Sequence, residues 1–146
     1  MEPQLIRRPA PRAARIGVVL AGGSSRRMPG GKAGAMLAGR TLLERAVATV
    51  AEAGLEPAVC GRAGVELPPT AARCWREPPP IADADRSPHP LRGVAWALRQ
   101  AGEPAVVLPV DLPLLPAGVL AGLATAPHRL AVLGDAGRPA ALVLRA

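Results

Sequence analysis

The side chains with most chemistry to offer lie in one short stretch and at one distant carboxylate. Val18 to Gly34 reads VVLAGGSSRRMPGGKAG: an apolar run stops at Gly22 and Gly23, passes Ser24 and Ser25, and is followed by Arg26, Arg27 and Lys32. Glycines let backbone N–H groups approach an anion with no Cβ in the way. Ser24 and Ser25 add hydroxyl donors. Arg27 can neutralise phosphate through a fork and Lys32 as a compact point charge. Much later a second apolar run, AVVLPV, delivers Asp111, and a strand-end carboxylate is the usual protein ligand for Mg²⁺ held on substrate phosphates. Taken singly, Gly22–Gly23 is a tight turn and Asp111 a strand terminator. Together these residue types make a nucleoside triphosphate–Mg²⁺ site.

Neither standard phosphate loop is present. A Walker A sequence needs G-x-x-x-x-G-K-[ST], and here Arg26 stands at the first glycine and Ala33 follows Lys32. The dinucleotide pattern G-x-G-x-x-G is missing too.

The elements that must hold these residues can be read from periodicity. Ile16 to Leu20 is a short, β-branched apolar run, which predicts a strand buried on both faces. Thr41 with Glu44 three residues on forms a capping box. Leu42, Leu43, Ala46, Val47 and Val50 then recur at helical spacing, and Gly54 supplies the stop. Pro57 to Gly61 reads as a second strand. Leu67 to Pro90 reads as loop with a short strand at Arg73 to Arg76. Leu91 to Ala101 is a helix closed by Gly102, Ala105 to Val110 a third strand, and Pro116 to Ala124 a helix with proline in its first turn. Ala131 to Leu133 and Ala140 to Leu144 are two further strand candidates. Strands alternating with helices imply βαβ units in a mainly parallel sheet covered on both faces. Ligands of such sheets sit beyond the carboxyl ends of the strands, which puts the Gly22 loop and Asp111 at one crevice.

Composition narrows the class. The 146 residues hold no Phe or Tyr and two Trp, so the core rests on Leu, Val, Ala and Ile. A chain of this length is one domain, or part of one, and a domain of about 150 residues buries roughly 70% of its unfolded surface. The formal charge is +7, from 18 Lys and Arg against 11 Asp and Glu. Arg7, Arg8, Arg12 and Arg15 carry much of that excess, which reads as a frayed basic tail over residues 1–15. Nucleic acid is the weaker reading of that charge, and no nucleic-acid partner is expected, because aromatics for base stacking are nearly absent. The proline-broken start is no secretion signal and no run reaches membrane length, so the expected setting is cytoplasmic, without membrane contact. Cys60 and Cys74 lack metal-ligand spacing and are expected as two reduced thiols. His128 has no evident partner, and Trp75 and Trp96 read as packing.

LAGGSSRRMPGGKAGAML resembles the signature L-A-G-G-x-S-x-R-M-G-x-x-K of the MobA-like nucleotidyltransferases. PLRGVAWAL is similar to that family's P-L-A-G segment and its helix. VVLPVDLPLLP is similar to its strand ending in Asp-x-Pro, and GRPAALVLR to the stretch lining its acceptor side. The likeness runs from Ile16 to the C-terminus. Pro29, Gly31 and His89 depart from the pattern, standing where the family has Gly, Asp and Gly.

The resemblance implies a Rossmann-like three-layer α/β/α domain over residues 16–146, shortened at its C-terminus. It implies transfer of a nucleoside monophosphate from an NTP to a phosphorylated acceptor, with pyrophosphate released. In the molybdenum branch the donor is GTP and the acceptor a molybdopterin cofactor. By position, Leu20, Ala21, Gly22, Gly23 and Ser24 carry nucleotide contacts, Arg27 and Lys32 phosphate contacts, and Asp111 the Mg²⁺. Asp83 falls where the family has an acidic nucleotide-site residue, with Asp85 competing for the role. Two alternatives stay open: a cytidylyltransferase of the same family, and a non-catalytic nucleotide-binding or regulatory domain.

Overall fold

A computed structural model describes residues 11–23, 31–79, 90–128, 130–135 and 138–145. Its centre is β1 (Ile16–Leu20), which pairs in parallel with β4 (Glu56–Arg62) on one side and β6 (Ala105–Pro109) on the other. Outside β4 runs β5 (Arg73–Glu77), also parallel. Beyond β6 lies an antiparallel pair, β8 (Arg138–Arg145) and then β7 (Ala131–Asp135). The sheet order is therefore β5-β4-β1-β6-β8-β7. The chain leaves β1 towards β4, then returns across it to β6, so the order reverses between β1 and β6.

Alternation along the strands separates two cores. Val19, Val59, Val106 and Leu108 pack with Leu43, Ala46 and Val50 of α1 (Leu42–Glu52) and with Leu120 and Ala124 of α3 (Ala117–Ala124). Ile16, Val18, Ala58, Cys60, Ala105 and Val107 pack with Val94 and Ala97 of α2 (Pro90–Ala101). Two helices on one face and one on the other make the expected three layers. Trp75 and Trp96 join the α2-side cluster as packing residues.

Local signals were followed closely. Thr41 Oγ1 accepts from the Glu44 amide at 3.1 Å, and the Glu44 carboxylate accepts from the Thr41 amide at 2.6 Å, closing the capping box. Gly54 and Gly102 follow their helices at φ 77° and 66°. Pro116 is the residue before α3, with ψ 140°, and so caps the helix rather than opening its first turn. An antiparallel hairpin between β2 (Met36–Leu37) and β3 (Arg40–Thr41) was not foreseen. Its turn, Ala38–Gly39, has both φ angles positive, and Arg45 holds it by donating to the Leu37 carbonyl at 2.6 and 2.8 Å.

The tail expected over residues 1–15 is tied down at its end. Ala14 is buried and donates to Ala124 O at 2.8 Å, and Arg15 O accepts from Glu56 N at 2.8 Å. Arg145, 1% exposed, donates to the carbonyls of Ala126 (3.0 Å), His128 and Arg12. Its charge is met by carbonyl dipoles just past the C-terminus of α3, where the helix favours a cation. Among the described residues no helix is long and apolar enough to cross a membrane.

Gly17 sets the spacing of the α1 layer. A Cβ there would fall 2.4 Å from Val50 Cγ1, and Val50 is fully buried. Gly17→Ala is therefore expected to cost about 1–3 kcal/mol by overpacking, and Gly17→Ala/Val50→Ala to cost less than the sum of its single changes. Urea unfolding of the four proteins measures both.

Glu44 is held below the ordinary carboxylate range, first by the Thr41 backbone amide and next by the Thr41 hydroxyl. A lowered folded value means stability present above the unfolded pKa and lost as pH falls through the folded one. Glu44→Gln should accordingly show a shallower loss of thermal stability on acidification than the wild type.

Candidate nucleotide site

The crevice is built where four parallel strands end. β1 arrives with its last backbone groups already committed: Leu20 O accepts from Val110 N at 3.1 Å, and Ala21 N donates to Cys60 O at 2.9 Å. Ladder bonds thus consume the strand's exit on both sides. Among the described residues the amides of Gly22 and Gly23 have no such partner, so donors available to an anion begin there. Gly22 also has no room for a side chain. A Cβ would lie 2.9 Å from Arg62 N and 3.3 Å from Gly61 C, backbone that cannot swing aside.

Lys32 opens a 3₁₀ turn (Lys32–Gly34) pinned by the buried Ala33. Asp111 follows β6 by two residues. Although separated by 79 residues in sequence, Lys32 Nζ and Asp111 Oδ2 are 2.6 Å apart. Side-chain exposures of 48% and 38% leave both open to a ligand. Of the expected site residues, Leu20, Ala21, Gly22, Gly23, Lys32 and Asp111 gather at this end of the sheet. Ser24, Arg27 and Asp83 lie outside the described residues, as do Arg26 and Asp85.

The acid that the sequence reading passed over is Glu77. It ends β5 in register with Arg62 of β4, and its side chain is 14% exposed. A Cβ on Gly93 of α2 would sit 3.7 Å from Glu77 Oε2 and 3.9 Å from Leu20 Cδ2, which puts this carboxylate between the exit of β1 and the first turn of α2. Arg92 Nε approaches it at 3.9 Å, an ion pair too long for a hydrogen bond. The signal was available: Glu77 directly continues the strand expected at Arg73 to Arg76. Along the rim, β5, β4, β1 and β6 therefore present Glu77, Arg62, the glycine loop and Asp111 in that order.

Metal-binding capacity is limited. Among the described residues no three His, Cys, Asp or Glu side chains converge, so a dedicated protein cage is absent there. One accessible carboxylate does fit Mg²⁺, which is commonly held by one or two carboxylates plus substrate phosphates.

This arrangement defines a class. A glycine loop and a carboxylate flank the point where strand order reverses, which is the ligand position of open α/β sheets. The chain belongs to the MobA-like NTP transferase family, whose domain matches residues 17–146. It is 36% identical over 135 residues to the molybdenum cofactor guanylyltransferase of Acidiphilium cryptum, covering 86% of this chain and 63% of that protein. The enzyme of the same name from Xanthomonas euvesicatoria is 38% identical over 133 residues, covering 89% and 65%. The chain thus spans a little under two thirds of the length of these relatives. Among solved structures, a hypothetical transferase from Thermus thermophilus superposes with TM-score 0.58 at 24% identity, covering 80% of this chain and 49% of the other. Rv0371c from Mycobacterium tuberculosis gives 0.55 at 19% identity, covering 76% and 59%. At these identities the two structures speak for the fold.

Both cysteines are free. Burial, with the Glu77 charge adding to it, pushes the Cys60 thiol up to about 11, whereas Cys74 is exposed on β5. Since the thiolate is the reactive form, one thiol is expected to react quickly with a chromogenic disulfide at pH 8 in the native protein, and two in denaturant. The folded state should also lose stability as pH rises past about 9, where only the unfolded chain ionises Cys60.

Proposed function

We propose that this chain forms the nucleotide-binding and catalytic core of a Mg²⁺-dependent nucleotidyltransferase. The reading assigns GTP as donor, a molybdopterin-type phosphate as acceptor, and pyrophosphate as leaving group. The observation that carries it is the meeting of Lys32 and Asp111, from separate elements, at the β1–β6 reversal. The names of the curated relatives favour guanylyl over cytidylyl transfer.

The reaction asks for little covalent work by the protein. An acceptor phosphate oxygen attacks the α-phosphorus, one new P–O bond forms, and the bond from that phosphorus to the α–β bridging oxygen breaks. Gly22 and Gly23 amides would hold phosphate oxygens, and Lys32 would neutralise charge developing on the phosphates. Arg27 is assigned the same role from the sequence, with Ser24 a further donor. Asp111 would hold Mg²⁺, which when bound screens the phosphates against the incoming anion. Leu20 and Glu77 stand on the side away from Asp111, where the nucleoside would lie, and Ala21, with its side chain buried, would contribute backbone only. There Glu77 offers a carboxylate in addition to Asp83, which is assigned to the nucleotide from the sequence. Catalysis then rests on in-line positioning and preorganised charge.

Removing one preorganised electrostatic contact costs about 100- to 1,000-fold in rate. That loss is expected for both Lys32→Ala and Asp111→Ala. Pyrophosphate release, measured with each NTP, Mg²⁺ and molybdopterin, tests the assignment. Release with GTP supports it. Saturable GTP binding with no turnover would move the chain to a nucleotide-binding role, and near-normal turnover in either variant would remove that residue from the site.

A further inference from the structure

Resting on the nucleotidyltransferase reading above, we propose that the Lys32–Asp111 ion pair makes the free protein exclude a bare divalent cation. The site then takes the metal only together with a triphosphate. The ammonium sits 2.6 Å from Asp111 Oδ2, so a cation approaching that oxygen must displace a charge of its own sign. Nothing else described compensates, because no cluster of three acidic, His or Cys side chains surrounds the carboxylate.

A triphosphate alters both halves of the pair. Its oxygens offer Lys32 a more highly charged partner than one carboxylate, and they help carry the cation that Asp111 then receives. One ion pair is exchanged for two interactions, Lys32 with phosphate and Asp111 with metal, and no covalent bond changes. The exchange needs only a turn of the lysine stem. Its backbone is held where it is, with Ala33 buried and Ala35 N donating to Lys32 O at 3.2 Å. Lys32 is thus a placeholder for the metal's charge as well as a phosphate ligand, and it ties metal loading to nucleotide arrival.

Bare Mn²⁺, followed by the electron paramagnetic resonance of the free ion, is the probe. Without nucleotide, Lys32→Met is expected to bind Mn²⁺ about tenfold more tightly than the wild type, from loss of the competing pair and of its charge. Lys32→Met/Asp111→Asn should lose that gain. Lys32→Arg, which keeps the cation, and Arg92→Gln, which removes a charge beside Glu77 instead, should both match the wild type. Wild-type affinity equal to that of Lys32→Met overturns the proposal. So does an equal gain in Arg92→Gln, which would reduce the effect to net charge. Adding an α,β-methylene analogue of GTP should raise Mn²⁺ uptake by the wild type, and unchanged uptake with the analogue bound overturns the coupling. An analogue that fails to bind at any Mn²⁺ concentration overturns the transferase reading instead, while the bare-metal comparison still decides the role of the ion pair.

Discussion

β1 is hydrogen-bonded to parallel neighbours on both sides along its whole length, and this constraint governs everything at the site. A strand held on both edges cannot slide or twist independently, so the chain leaves it at a defined place and in a defined direction. The last ladder bonds take the Leu20 carbonyl and the Ala21 amide. Backbone N–H donors open to an anion therefore begin at Gly22. The tight approach of Gly22 to the backbone of Gly61 and Arg62 extends the same rigidity one step past the strand.

A core without Phe or Tyr has a structural consequence. Valine, alanine and leucine side chains are short, so helices must lie close to the sheet to exclude water, and density has to come from close approach rather than from large rings. Gly17 against Val50 is the clearest case. The molecule also spends one large polar side chain on cohesion. Arg145, on the last strand, joins the segment before β1 to the segment just after α3 by donating to the carbonyls of Arg12, Ala126 and His128. Such bonds from a charged group are worth more than neutral ones, and they secure the β8 end of the sheet, opposite β5.

Much of this was legible beforehand because it is local. The Thr41–Glu44 box, the glycines after α1 and α2, and the apolar runs of β1 and β6 involve residues within a few positions of one another. Their physics does not depend on the rest of the chain. What escaped was either too short to show a period, as with the two-residue strands of the hairpin at Met36–Thr41, or distant in sequence. Glu77 falls in a stretch that reads as loop just beyond the short strand expected at Arg73 to Arg76. Pairing of β5 with β4 brings Glu77 to the crevice, and strand pairing is not written in any one segment. The role of Arg145 likewise depends on segments far apart in sequence, since Arg12 and Ala126 supply two of its acceptors.

From residue types and order alone came the α/β class, the three layers, the mainly parallel sheet, and a phosphate-seeking loop paired with a carboxylate, because periodicity and side-chain chemistry are properties of the chain itself. The reversal of strand order between β1 and β6, and the 2.6 Å contact it creates between Lys32 and Asp111, were decided by tertiary structure. A contact across 79 residues exists only when burying both faces of the sheet sets which strands lie side by side.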